Sequence, residues 1–184
     1  MSRFATCPHC ADRTPTRRSV IAGLAAAAVL PAAASAAAPS TAEDEGLMRM
    51  AIAEARRADF PFGAVIVRDG QEVARGRNLG RTTGDPTAHG EMVAIRRAVA
   101  AHHDGKALKG ATLYTSGEPC AMCMGAILWC GFGRMVYAAS LQQLATRIDQ
   151  IMVTSADLAA KTSFAPIAIT GGVLADEAMK LFAK

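Results

Sequence analysis

Apolar residues recur at helical spacing over residues 43–58, where Leu47, Met48, Ala51, Ile52 and Ala55 share one face. The period then changes. Residues 62–67 are a nearly unbroken apolar run of strand length, Asp69-Gly70 is a tight-turn pair, and residues 72–77 return as a second strand, which together predict a hairpin. Met92, Val93, Ile95 and Val99 restore the helical period from Glu91 to about His102, with Asp104-Gly105 as the stop. A strand over 111–116 feeds a helix from Pro119 to about Cys130, Gly131-Phe132-Gly133 breaks it, and 134–139 is the next strand. Residues 141–158 read as mostly helical, 164–170 as a last strand stopped by Gly171-Gly172, and 174–182 as a closing helix. A helix, a hairpin, then strands alternating with helices predict an α/β fold: a three-layer α/β/α sandwich around a mixed five-stranded sheet.

Residues 1–38 follow a different pattern. Arg3, Arg13, Arg17 and Arg18 form a basic start, 20–30 is apolar, and Pro31 leads into the small-residue run 32–38, the layout of a signal peptide. Thr16-Arg17-Arg18-Ser19-Val20-Ile21 resembles a twin-arginine export signal, which implies delivery to the periplasm after folding, or residence in the cytoplasm if the leader is not processed. The apolar stretch is too short and too alanine-rich for a membrane span, and no Cys follows it to carry a lipid, so no stable membrane anchor is expected. Cys7-Pro8-His9-Cys10 has neither a thioredoxin-like context nor a second ligand pair, and is read as part of the discarded leader. Residues 39–184 are then one domain of ordinary size.

Removing the leader changes the meaning of the charge. The chain carries 20 basic and 16 acidic residues, and the first 38 hold four Arg and one Asp, so the remainder has 16 against 15. A nearly neutral domain without a basic cluster at its C-terminus lacks the footprint of a nucleic-acid binder.

The chemistry is concentrated in two short pieces, Asp85-Pro86-Thr87-Ala88-His89-Gly90-Glu91 and Ser116-Gly117-Glu118-Pro119-Cys120-Ala121-Met122-Cys123. They supply one imidazole, two thiols and a carboxylate, the inventory of a catalytic zinc site with its general acid/base. Cys120 and Cys123 are three apart and share a helix face, with Pro119 suited to the first helical position. His89 likewise opens a helix, so two helix N-termini should face each other across the metal and favour the ionised thiols. Three protein ligands leave a fourth position for water. Glu91 is expected to shuttle protons rather than bind the metal. His102 and His103 are read as solvated helix-end residues and Cys130 as a buried thiol.

The pattern His-x-Glu followed by Pro-Cys-x-x-Cys resembles that of the zinc-dependent nucleobase and nucleoside deaminases of the cytidine deaminase superfamily. Leu113-Tyr114-Thr115-Ser116, Glu118-Pro119-Cys120, Met122-Cys123, Gly125-Ala126-Ile127 with Trp129, and Pro61-Phe62-Gly63-Ala64-Val65 are similar to bacterial guanine deaminases. One departure is Gly90, where many relatives carry Ala.

The resemblance implies one Zn²⁺ per chain on His89, Cys120 and Cys123, with Glu91 as catalytic acid/base and Asn78, Phe62 and Ala88 as substrate-contacting positions. It implies hydrolytic removal of an exocyclic amine, on a small purine such as guanine first, a cytosine or cytidine-type substrate second and tRNA adenosine third, in a homodimer. A zinc-binding module without activity is the reading from another class. The guanine deaminases usually carry an Asp shortly after the pair matching Ala138-Ala139; here Ser140-Leu141-Gln142-Gln143 follows, and Asp149 or Asp157 is left to supply that acid.

Overall fold

The computed structural model describes residues 40–102 and 108–183; the signal peptide expected over residues 1–38 lies outside the described residues. Its elements are α1 (Ala42–Ala55), β1 (Gly63–Arg68), β2 (Gln71–Arg77), α2 (Gly80–Thr83), α3 (Gly90–His102), β3 (Thr112–Gly117), α4 (Ala121–Cys130), β4 (Arg134–Ala139), α5 (Leu141–Ala145), α6 (Ser155–Ala160), β5 (Ala168–Thr170) and α7 (Ala175–Met179), followed by a 3-10 turn over Lys180–Phe182. The strands form one mixed sheet in the order β2-β1-β3-β4-β5. β1 runs antiparallel to both β2 and β3, and β3, β4 and β5 run parallel. The hairpin turns at Asp69 and Gly70, both at positive φ (52° and 73°), as its tight geometry requires.

Alternation along the central strands builds two cores, one on each face of the sheet. Val65, Val67, Tyr114 and Val136 pack with Met48 and Ile52 of α1, whereas Ala64, Ile66, Leu113 and Met135 pack with Ala94 and Ile95 of α3 and Met124 and Ile127 of α4. Side chains of successive strand residues point to opposite faces, so a strand covered on both sides must be apolar throughout. This is why residues 62–67 show no polar alternation. The layered α/β/α arrangement expected from the element order is the one observed.

Two glycines let α3 lie directly on the hairpin. A Cβ on Gly76 would come within 2.3 Å of the Gly90 carbonyl oxygen, and one on Gly90 within 3.0 Å of the Phe62 carbonyl oxygen. Gly90 therefore lets the start of α3 approach the β1 entry, beyond its modest cost to helix propensity.

Four details depart from the sequence expectation. The stretch 141–158 is not a continuous helix: α5 and α6 are separate, and residues 146–154 between them are irregular. Each short helix has its own N-cap, Ser140 and Thr154, whose side chains accept from the N–H groups of Gln143 and Asp157. β5 spans only Ala168–Thr170, its pairing being confined to Arg134–Val136, and Pro166 just before it has no N–H to give a ladder. The closing helix is short because Leu174 takes a left-handed conformation (φ 58°) and α7 passes into the 3-10 turn after Met179. Pro119 is not the first helical residue; Cys120 is the extended N-cap of α4 and Pro119 precedes it.

A buried polar cluster ties α1 to the sheet. Asp44 is 1% exposed, accepts two hydrogen bonds from Arg134 at 2.7 and 3.0 Å and one from the Tyr114 hydroxyl at 2.9 Å, and completes a capping box with Thr41. Burial pushes its carboxyl up, but the hydrogen bonds from Arg134, the Thr41 N–H and Tyr114 outweigh burial and hold it well below its ordinary value. No helix among the described residues is long and apolar enough to cross a membrane.

Candidate active and metal site

His89 and Cys120 each stand immediately before a helix on the same face of the sheet. The carbonyl of His89 accepts the first helical bond of α3, from the Val93 N–H at 2.9 Å, and that of Cys120 accepts the corresponding bond of α4, from the Met124 N–H at 2.9 Å. Cys123 lies in the first turn of α4 and is fully buried. The ligand atoms of His89, Cys120 and Cys123 lie within 4.8 Å of one another, the Nδ1 of His89 being 3.7 Å from the Cys120 Sγ and 3.6 Å from the Cys123 Sγ. Tetrahedral zinc with bonds of about 2.3 Å to sulfur and about 2.0–2.1 Å to nitrogen separates those atoms by about 3.6 Å. The three residues fit the ion.

The protonation of the two thiols follows from their contact. The hydrogen bond from Cys123, reinforced by His89, holds the Cys120 thiol well below its usual value, and the same bond together with burial pushes Cys123 up. Metal binding requires both thiols to be ionised and releases whatever protons they carry. The hydrogen bond to Cys120 also raises His89. The positive ends of α3 and α4 both favour the thiolates that a cation requires.

Glu91 is 3% exposed, and burial raises its carboxyl above the ordinary value. Its Oε1 lies 3.3 Å from the Thr115 Oγ1, which is itself 3.1 Å from the Gly117 carbonyl oxygen. Glu91, His89 and Cys120 line a cavity of about 690 Å³, together with Phe62, Asn78 and Glu118.

The other positions named from sequence fall into two groups. Asn78 is buried and oriented by three bonds: its N–H donates to the Phe62 carbonyl, its carbonyl accepts from the Asp59 N–H, and its Oδ1 accepts from the Gly80 N–H at 3.0 Å. Asn78 lines the cavity. Phe62 faces the cavity and packs against Phe182, the ring centroids 5.4 Å apart. Ala88 is buried outside the cavity lining; its N–H donates to the Asp85 carbonyl and its carbonyl accepts from Leu79. Of the two candidate acids near the C-terminus, Asp149 lines the cavity, whereas Asp157 accepts the Thr154 hydroxyl at 2.7 Å in the cap of α6.

Sequence reasoning missed several parts of the wall. Phe60 lies under the Arg81 guanidinium at 4.6 Å, and Asp59 accepts both the N–H and the hydroxyl of Thr82, which fastens α2 beside them. Ile148, Gln150 and Ile151 also line the cavity. The signal for Glu118 was present, an acidic residue at a strand-to-helix turn, but only the fold shows that its two oxygens are used.

Comparison with known proteins matches this arrangement to one family. Residues 41–139, more than half of the chain, match the family model "Cytidine and deoxycytidylate deaminase zinc-binding region". The guanine deaminase of Bacillus subtilis is 51% identical over 82 residues, 43% of this chain and 50% of that protein, so the match spans half of the relative's length. The tRNA-specific adenosine deaminase of Agrobacterium fabrum is 42% identical over 102 residues, covering 53% of this chain and 66% of that one. Among solved structures, the guanine deaminase from Nitrosomonas europaea superposes with a TM-score of 0.68 at 26% identity, over 79% of this chain and 83% of that chain. His89, Cys120, Cys123 and Glu91 all fall inside the matched span, and the chain belongs to the cytidine and deoxycytidylate deaminase zinc-binding family.

Proposed function

We propose that this protein is a zinc-dependent hydrolytic deaminase of a small purine, guanine or a close relative, as base or nucleoside. The observation that carries the reading is the placement of a buried carboxylate, Glu91, in the same cavity as a His/Cys/Cys metal set. A zinc ion held there supplies Lewis acidity that makes a water reactive at neutral pH. Glu91 takes a proton from the attacking water and gives it to the ring nitrogen beside the amine-bearing carbon as the C–O bond forms; it then carries the remaining hydroxyl proton to the amine, the C–N bond breaks as the carbonyl forms, and ammonia leaves. Burial keeps the Glu91 carboxyl up, where it can carry a proton between these steps.

Thr115 suits a partner that changes protonation state. Its hydroxyl can donate to ionised Glu91, or turn its proton to the Gly117 carbonyl and accept from protonated Glu91. Phe62 provides an aromatic face for the ring, Asn78 an NH₂ for a ring-edge acceptor, and Asp149 a carboxylate for the departing amine.

The guanine-type assignment is supported by the similarity to the Bacillus and Nitrosomonas proteins and by the near-neutral charge beyond the leader. The Agrobacterium relative supports adenosine in tRNA as an alternative, beside the cytosine-type substrate. Ammonia release by zinc-loaded protein from guanine, guanosine, cytosine, cytidine and a tRNA anticodon stem-loop separates them: turnover of guanine or guanosine alone is expected, and turnover of the stem-loop alone overturns the assignment. Zinc bound without turnover of any of these substrates would favour a binding module. Export through the leader and assembly as a homodimer belong to the same proposal; 79% exposed Trp129 on α4 is a surface that a second copy would cover, and the mass in solution tests it.

A further inference from the structure

One buried carboxylate holds both ends of a cavity wall. Glu118, 6% exposed, accepts from the Leu141 N–H at 2.8 Å through Oε2 and from the Ser155 N–H at 2.9 Å through Oε1. Leu141 and Ser155 are the first residues of α5 and α6, and the N-cap side chains of those helices are already occupied by Gln143 and Asp157. Glu118 thus serves the donor that each cap does not reach.

Between the two anchors runs the wall segment that carries Ile148, Asp149, Gln150 and Ile151. The core holds it weakly: Ile151 is 61% and Met152 57% exposed. Among the described residues its hydrogen bonds are local, from Thr146 to Gln143, from Arg147 and Ile148 to Leu144, and from Val153 to Ile151. At the other end of the linkage, the Glu118 N–H donates to the Ala139 carbonyl at 2.7 Å, and Cys120, a residue of the metal set, is two positions along the chain.

We propose that Glu118 is a positioning residue that fixes the wall 146–153 to the metal-binding turn, so that Asp149 and Gln150 are held at a set distance from His89, Cys120 and Cys123. A substrate bound between them would then meet the wall without first ordering it. The kinetic arm of the test rests on the deaminase reading; the exchange arm does not.

Two variants remove the linkage from opposite ends. Glu118→Gln keeps one oxygen as an acceptor and turns an NH₂ toward a backbone N–H, losing one anchor. Ser155→Pro keeps the Glu118 carboxylate but deletes the N–H, and its Cδ, where the hydrogen pointed at Oε1, pushes that oxygen away from α6. Pro suits a first helical position, Thr154 before it is extended (φ −68°, ψ 156°), and the buried Ser155 Oγ has no hydrogen-bond partner to lose.

Hydrogen–deuterium exchange, zinc content and steady-state kinetics are measured on the zinc-loaded full chain. In both variants exchange over 142–154 is expected to rise by about tenfold or more, the scale of one hydrogen bond to a charged group, while β1, β3 and β4 keep their protection. Zinc content stays at the wild-type value, and KM for the deaminated base rises about tenfold with kcat within about threefold. Should Glu118→Gln fail to fold, Ser155→Pro carries the test alone. Wild-type exchange and KM in Ser155→Pro would overturn the proposal, as would exchange that rises equally across the sheet together with loss of zinc. If no substrate is turned over, the deaminase reading fails, and local exchange still decides the role of Glu118.

Discussion

Replacing Glu91 with Gln separates proton transfer from everything else this residue does. Gln has nearly the same volume, and its carbonyl can still accept from Thr115, so the contact seen at 3.3 Å survives. The side chain is 3% exposed and burial disfavours its charge, so an uncharged replacement should not destabilise the fold, and the melting temperature is expected to stay level or rise. Glu91 does not belong to the metal set, so zinc content is expected to be unchanged.

What disappears is the capacity to take and return a proton. General acid–base catalysis is worth about 10²–10⁴ in rate, or about 3–5 kcal/mol of barrier. The assay is ammonia release at saturating substrate, with zinc measured on the same sample. A Glu91→Gln protein that holds full zinc and retains kcat within about tenfold of wild type would refute the reasoning, because some other group would then be moving the proton.

Cys123→Ala removes a fully buried ligand from the metal set, and the protein is expected to lose zinc on dialysis and activity with it, as read by a colorimetric chelator and ammonia release. Asp44→Ala leaves Arg134 and Tyr114 without their shared acceptor, and urea unfolding at pH 7 is expected to show a loss of about 3 kcal/mol. Because the folded Asp44 carboxyl lies below its ordinary value of 3.8, its contribution is complete above that pH and is lost as pH falls through the folded value. The gap between variant and wild type should therefore hold from pH 7 to about 5 and narrow below about 4, and a gap that stays constant down to pH 3 would contradict this account. Arg17→Lys with Arg18→Lys is expected to keep the protein in the cytoplasm, and unchanged periplasmic activity would refute the twin-arginine reading.

The sequence by itself determined the metal set and the layers, because both are written in local spacing. Cys120 and Cys123 are close enough along the chain to share one helix start, His89 opens the other zinc helix, and uninterrupted apolar strands require cover on both faces. The tertiary structure decided everything that joins distant segments. Leu141, Leu144, Ile148, Ile151 and Leu158 imitate a helical stripe, yet the chain leaves helix after Ala145 and restarts at Ser155, where a carboxylate 23 and 37 residues away accepts the two first-turn N–H groups. The same break places Asp149 in the cavity, while Asp157, which is equivalent to it by composition, serves a helix cap. Periodicity reports which side of an element is buried, but a hydrogen bond between residues far apart in the chain leaves no period in the sequence, so the cavity wall could be read only once the chain was folded.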